Sequence, residues 1–101
     1  MLAAAGDHTA ALVSVRQALV IRDELYAADP TDAAARRDLA RIYGDIGKVL
    51  VATGDKTGAP ESYHKSLPMF EALLTSDQTN MDLHQALAET RHRLDELSTP
   101  P

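Results

Sequence analysis

Histidine is the first residue type to test for chemistry, because its side chain is a common metal ligand and general base near neutral pH. The 101 residues contain four histidines. His84 and His92 are eight positions apart and therefore point about 80° away from each other on a helix of about 3.6 residues per turn. His92 with Glu89 or Glu96 would give two ligands, whereas a catalytic zinc needs three protein ligands. The sequence predicts surface histidines and neither a metal site nor another cofactor site.

Phosphoryl transfer is a second reaction that a histidine permits. His64 is followed by Lys65, and histidine phosphotransfer domains are four-helix bundles in which one exposed histidine accepts a phosphoryl group. A lysine beside that histidine would help to neutralise the added charge. A phosphotransfer-like four-helix bundle is therefore kept as one alternative.

Other catalytic arrangements are missing from the sequence. There is no cysteine, which excludes disulfides, thiolate metal sites and a cysteine nucleophile. No Ser-His-Asp set or carboxylate pair stands at a defensible spacing, and the five glycines show no phosphate-loop pattern. We therefore expect the chain not to be an enzyme.

The composition argues against nucleic acid and the membrane interior as partners of the chain. The formal net charge is -5, and the ten Lys and Arg residues are scattered along the chain, which argues against nucleic acid because phosphate binding needs a basic stripe. No run of about 18 apolar residues occurs, so we expect no segment to insert into a membrane. With 45% hydrophobic and 25% charged residues, the sequence is typical of one small globular domain.

One internal repeat organises the chain. Gly6-Asp7 returns as Gly54-Asp55 at an offset of 48 residues. The same offset aligns further pairs, which include Ala11 with Ala59, Leu19 with Leu67, Leu25 with Leu73, Asp29 with Asp77 and Ile46 with Leu94. It also aligns His64 with Arg16, a surface-type position. A repeat of this length has no place in a phosphotransfer domain, so the repeat weighs against that alternative.

The hydrophobic pattern predicts an all-α chain of four long helices. Apolar residues recur at intervals of three and four between Asp38 and Thr53, and no useful stretch alternates with the period of a strand. Asp29-Pro30-Thr31-Asp32, Gly54 and Asn80 carry the stop and cap signals of helix ends. The expected helices cover residues 8–28, 32–53, 58–76 and 80–97. Because the turns between them are short, consecutive helices should be antiparallel.

The middle of the chain resembles a tetratricopeptide repeat. The resemblance rests on signature positions in two helices and the turn between them, namely Tyr43, Ile46, Gly47, Leu50, Gly54, Asp55, Ala59, Tyr63 and Ser66. Small residues at such positions let two helices approach closely, and an aromatic side chain fills the gap beside them. The offset of 48 residues, longer than the usual period of about 34, is similar to the extended repeats of the kinesin-light-chain type. Similar long repeats occur in the C-terminal regions of bacterial serine/threonine protein kinases.

The resemblance implies a fragment of a solenoid, in which antiparallel helical hairpins stack within one domain over residues 1–101. Residues 1–29 would hold the end of one repeat, residues 32–77 a complete repeat and residues 80–97 a polar capping helix, with a tail at 98–101. The chain would then be the C-terminal piece of a longer signalling or scaffold protein. We expect a cytoplasmic location, or an extracytoplasmic one if the host is a membrane-anchored kinase.

In this family, the first helices of the repeats form a concave surface that binds peptides or partner proteins. Carried over to this sequence, the binding positions are Arg41, Gly44, Asp45, Lys48, Val51, Glu89, His92, Arg93 and Glu96. The resemblance therefore implies a protein-protein interaction module. Arg41 and Lys48 lie seven residues apart on one face and could bind an acidic group. Alternatively, Arg41, Asp45 and Lys48 form a solvated ladder of ion pairs within their own helix.

Self-association is a further alternative. The first complete helix lacks a hairpin partner in front of it, so we expect Leu12, Val15 and Leu19 or their neighbours to be uncovered. An exposed apolar face of a few hundred Å² usually finds a partner. The sequence therefore predicts a homo-oligomer through this helix as the alternative to a bound protein or peptide.

Overall fold

A computed structural model describes residues 4–98, which form four α-helices and no strand. The helices are α1 (Ala4–Ala28), α2 (Ala33–Thr53), α3 (Gly58–Ser76) and α4 (Met81–Ser98). The prediction of an all-α chain with four long helices is confirmed, and the predicted bounds of the last three helices agree within one residue. None of these four helices is long and apolar enough to span a membrane. Of the predicted tail, only Ser98 lies within the described residues.

The first helix begins earlier than the sequence predicts. The prediction places the start of this helix near residue 8, after the glycine that the repeat aligns with Gly54. The structure has instead one continuous helix from Ala4 through Gly6 to Ala28. Gly54 ends α2 with a left-handed φ of 81°, whereas Gly6 continues a helix, since a glycine permits a helix end without requiring one.

Side-chain caps determine where α2 and α4 begin. Oδ1 of Asp32 accepts hydrogen bonds from the backbone N–H groups of Ala34 (2.9 Å) and Ala35 (3.2 Å). Oδ1 of Asn80 accepts one from the N–H of Leu83 (3.2 Å). The first N–H groups of a helix have no partner within it, so both side chains stabilise their helix start. Of the two candidate caps Thr31 and Asp32, the structure has Asp32 as the cap of α2, and the predicted cap at Asn80 is confirmed.

The turn between α2 and α3 folds these helices into a hairpin. The N–H of Gly54 donates to the carbonyl of Val51 (3.0 Å), and the N–H of Asp55 donates to that of Leu50 (2.9 Å). This pair of bonds is typical of a helix that ends in a left-handed glycine. Oδ1 of Asp55 then accepts a hydrogen bond from the N–H of Gly58 (2.8 Å), which stabilises the start of α3.

Each helix packs against the next one along the chain: α1 on α2, α2 on α3 and α3 on α4. The core has two parts. One is formed by Ile46, Leu50 and Ala59, with Leu12, Val15, Leu19, Ile42 and Leu97 packed against them. The other is formed by Ala40, Phe70, Leu73, Leu74, Leu83 and Leu87. Because α2 and α3 contribute buried residues to both parts, their hairpin is the centre of the fold.

The two helices of this hairpin approach each other closely at Gly47. Tyr63 of α3 is only 1% exposed, and a Cβ atom at Gly47 would lie 2.7 Å from Cζ, 2.8 Å from Cε2 and 2.9 Å from Cε1 of its ring. Only a residue without a side chain fits in that space. Tyr63 also lines a pocket between α2 and α4, so this contact positions the candidate site.

Candidate binding groove

One ion pair connects α2 with α4, and a second one within α4 shares its carboxylate. Nζ of Lys48 lies 3.3 Å from Oε1 of Glu89, and Nη2 of Arg93 lies 3.7 Å from the same oxygen. Lys48 therefore pairs across to α4, and the predicted ladder within α2 does not form, since no ion pair joins Asp45 to Lys48 or Arg41 among the described residues. These side chains are about half exposed, and exposed ion pairs stabilise a fold only weakly.

A small pocket lies at this junction, and we call it the Gly44 pocket. Its volume is about 90 Å³. It is lined by Arg41, Gly44, Asp45 and Lys48 of α2, by Tyr63 and Phe70 of α3, and by Ala86, Glu89 and Thr90 of α4. Five of the predicted binding positions, Arg41, Gly44, Asp45, Lys48 and Glu89, thus surround one opening.

A second, wider hollow holds most of the remaining predicted residues. It has a volume of about 220 Å³ and is lined by Val51, Arg93, Glu96 and Leu97. The ion pair between Glu89 and Arg93 connects it to the Gly44 pocket. We call the two cavities together the α2–α4 groove.

His92 is the one predicted binding residue that lines neither cavity of this groove. Its side chain is 71% exposed and its Nε2 atom lies 3.7 Å from Oε2 of Glu96. Within residues 4–98, no group of three His, Asp or Glu side chains is arranged to hold a metal ion.

The hydroxyl group of Tyr63 is buried without a hydrogen-bond partner among the described residues. The Nε atom of Arg93 is in the same situation. Buried polar groups usually find a partner, so these two side chains of the groove have unused hydrogen-bonding capacity, as does Arg37 outside it. Sequence reasoning assigned Tyr63 to packing alone. A further role could have been inferred from the residue type. A tyrosine ring packs as a phenylalanine ring does, but it carries a hydroxyl group that needs a hydrogen-bond partner.

Burial raises the pKa of the Tyr63 hydroxyl above its ordinary value of 10.0. The Arg93 guanidinium lowers this pKa, whereas the carboxylates of Glu89, Asp45 and Glu96 raise it. The hydroxyl is therefore protonated at neutral pH and can donate a hydrogen bond.

Gly44 keeps the pocket open. A Cβ atom at Gly44 would meet no atom within 4 Å, in contrast to Gly47 one turn later. A glycine inside a helix costs about 1 kcal/mol relative to alanine, and nothing within the described fold requires the absence of a side chain at Gly44. The space above Gly44 is available to a group from outside this fold.

The predicted self-association residues lie against α2. Leu12, Val15 and Leu19 are half-buried and pack on the core around Ile46 and Leu50, so of the residues expected to be uncovered these three are covered. The exposed large apolar residues of α1 are their neighbours on its other side, Val13, Val20, Ile21 and Leu25.

The histidine considered for phosphoryl transfer and the lysine beside it have different surroundings. His64 is exposed and lines a hollow between α3 and α4 that includes Arg91. Lys65 lies 3.9 Å from Glu61 and 5.5 Å above the centre of the Tyr43 ring. The charge of Lys65 is therefore placed toward Glu61 and Tyr43, away from the hollow in which His64 stands.

Replacing Tyr63 by phenylalanine should leave the free energy of unfolding at neutral pH unchanged or raise it by up to about 1 kcal/mol, because a buried hydroxyl without a hydrogen bond destabilises a fold. The difference in free energy of unfolding between the variant and the native chain should grow, in favour of the variant, as the pH rises above about 10. Because the pKa of Tyr63 is higher in the folded chain than in the unfolded one, the native protein loses stability as the pH rises through the folded-state value. Urea unfolding of both proteins at neutral and alkaline pH measures this, and a variant that is less stable at neutral pH would show that the hydroxyl has a partner.

The chain was compared with protein-family models, with curated proteins and with solved structures, and none of them matches it. The resemblance to tetratricopeptide repeats therefore stays a prediction from the sequence.

Proposed function

We propose that the chain is a non-catalytic protein-interaction module whose α2–α4 groove binds a segment of a partner protein. The observation that carries this proposal is the Tyr63 hydroxyl, which is buried in the lining of the Gly44 pocket without a hydrogen-bond partner among the described residues. A segment bound in the groove would supply that partner. The resemblance to tetratricopeptide repeats supports the same function, since their concave surface binds peptides.

The hydrogen-bonding groups of the groove favour a peptide carbonyl group as the part that is recognised. The Tyr63 hydroxyl and the Nε–H of Arg93 are both donors, and both are buried and unpartnered. Extended peptides present backbone carbonyl oxygens at regular intervals, which accept such hydrogen bonds. Each bond would also remove the cost of an unsatisfied buried donor.

The charges of the groove favour a partner segment that is close to neutral. Lys48 and Arg93 are both paired with Glu89, which leaves Arg41 as the cation of the Gly44 pocket without an ion pair among the described residues. Asp45 lines the same pocket and offsets that charge. Arg41 and Lys48 should therefore bind an acidic group less tightly than their spacing in the sequence indicates.

The size of the Gly44 pocket matches one small side chain of the bound segment. The volume of about 90 Å³ is much smaller than the about 300–1,000 Å³ of a typical small-molecule site. Phe70 and Ala86 supply apolar walls. We therefore propose an extended segment that places one small apolar side chain in the pocket while a backbone carbonyl accepts from Tyr63.

Selection from a random peptide library displayed on phage tests this proposal. We expect peptides enriched on the native chain to bind at least about tenfold more weakly to the variant Arg41→Glu/Lys48→Glu, because the change breaks the Lys48–Glu89 pair and places two carboxylates at the pocket, where they repel the partial negative charge of the bound carbonyl oxygen. The control Lys56→Glu/Lys65→Glu changes the net charge equally at exposed positions outside the groove and should bind as the native chain does. Failure to enrich any peptide, or equal weakening by both double variants, would overturn the proposal.

A further inference from the structure

We propose that two copies of this chain associate through the exposed side of α1, with the two helices antiparallel about a twofold axis near Val20. This surface lies outside the α2–α4 groove, and the proposal does not depend on the function proposed for that groove. The partner is a second copy of the same chain.

The apolar surface of α1 is unusual within the described residues. Six large hydrophobic residues in residues 4–98 are exposed, and four of them are on α1: Val13 (52%), Val20 (58%), Ile21 (54%) and Leu25 (51%). The other two, Val51 and Met81, are single residues on different helices. Isolated exposed apolar residues are ordinary, whereas a group of them on one element marks an interaction surface.

This surface is separate from the contact that α1 makes inside the fold. Leu12, Val15 and Leu19 pack on α2, whereas Val13 and Val20 are seven positions apart and so lie one above the other on the other side of the helix. The line from Val13 to Val20 is about 10 Å long at about 1.5 Å per residue, and Ile21 and Leu25 lie about 100° and 140° around the helix from Val20, at its edge. Beside it, a hollow of about 390 Å³ extends toward α2 and α3, with an apolar part lined by Leu19, Val20, Ile46 and Leu50 and a polar part lined by Arg16, Glu61, Ser62 and Lys65.

The charges beside this surface favour a second copy in an antiparallel orientation. Arg16 precedes Val20 by four residues and Glu24 follows it by four, and both are exposed. Spacings of four residues place all three on one side of the helix. In an antiparallel pair centred on Val20, Arg16 of each copy faces Glu24 of the other, so one pair of opposite charges forms twice. A parallel pair would bring arginine to arginine and glutamate to glutamate, which is unfavourable.

Twofold symmetry follows from this arrangement. In an isologous interface both copies use the same patch. If residue i of the first copy contacts residue j of the second, then residue j of the first copy contacts residue i of the second. The pattern of Arg16, Val20 and Glu24 is self-complementary in this sense. We therefore expect a closed dimer and no larger assembly.

Sedimentation equilibrium of the 101-residue chain from micromolar to millimolar concentration tests the proposal. We expect a monomer–dimer equilibrium, and we expect Val20→Glu to raise the dissociation constant of the dimer at least about tenfold, because a carboxylate would enter an apolar contact. Val20 is 58% exposed, so this variant should keep the circular dichroism spectrum of the native chain. Met81→Glu is the matched control, since Met81 is 67% exposed and lies on α4, and it should leave the dissociation constant unchanged.

Charge exchange tests the orientation. Arg16→Glu and Glu24→Arg should each raise the dissociation constant, and the double variant should bring it back toward the native value, because each pair is restored with its charges reversed. A chain that stays monomeric at millimolar concentration, an assembly larger than a dimer, or a dimer that Val20→Glu does not weaken would overturn the proposal. A double variant that dimerises no better than the single variants would overturn the antiparallel arrangement.

Discussion

Gly47→Ala is expected to lower the free energy of unfolding by about 2 kcal/mol. The added methyl group would lie within 2.9 Å of three atoms of the Tyr63 ring. Because that ring is 1% exposed, it cannot move aside without disturbing the core between α2 and α3. Overpacking in a core costs about 1–3 kcal/mol, and we expect the upper end here. The better helix propensity of alanine offsets about 1 kcal/mol of that cost.

Gly44→Ala is the matched control, because it makes the same exchange in the same helix. A Cβ atom at Gly44 meets nothing within 4 Å, so we expect only the gain in helix propensity, about 1 kcal/mol. Urea unfolding should therefore separate the two variants by about 3 kcal/mol, with opposite signs relative to the native chain. Equal effects of the two substitutions would contradict the close contact between Gly47 and Tyr63.

The ends of the last three helices could be predicted because signals within a few residues determine them. The cap at Asp32, the left-handed glycine at Gly54 and the cap at Asn80 act through hydrogen bonds to the adjacent backbone. Such signals need no knowledge of the rest of the fold. The start of α1 shows the limit of this reasoning, since Gly6 occupies the same place in the repeat as Gly54 and yet lies within a helix.

The side of α1 that faces α2 could not be predicted in the same way. Apolar residues occur on both sides of this helix, with Leu12 and Val15 on one and Val13 and Val20 on the other. A helix without a single apolar stripe carries no local signal for its orientation. Its orientation is determined by packing against Ile46 and Leu50 of α2, which is a tertiary contact.

Most residues of the candidate groove could be predicted from the sequence, but their positions relative to one another could not. The spacing along α2 allowed Lys48 to pair with Asp45, whereas the structure pairs it with Glu89 of α4, because the distance between the two helices decides the partner. The unpartnered Tyr63 hydroxyl and the open space above Gly44 depend on the same distance. Neither is visible in the order of the residues.

Gly44→Met is expected to weaken the binding of a peptide selected on the native chain by about a hundredfold, which corresponds to about 2.8 kcal/mol. The methionine side chain would project into the Gly44 pocket, whose volume is only about 90 Å³, and would occupy the place of the bound side chain. Because the Cβ position is open and methionine favours helix over glycine, the fold should be at least as stable as the native one. Loss of binding can then be attributed to the filled pocket.

The most direct test of the proposed groove is the dissociation constant of one selected peptide, measured by isothermal titration calorimetry on three proteins. These are the native chain, Gly44→Met and the control Ala52→Met, which adds the same side chain at an exposed position of α2 that does not line the pocket. We predict that Ala52→Met binds the peptide as the native chain does and that Gly44→Met binds it about a hundredfold more weakly. Equal affinity for all three proteins would contradict the assignment of the α2–α4 groove as the binding site.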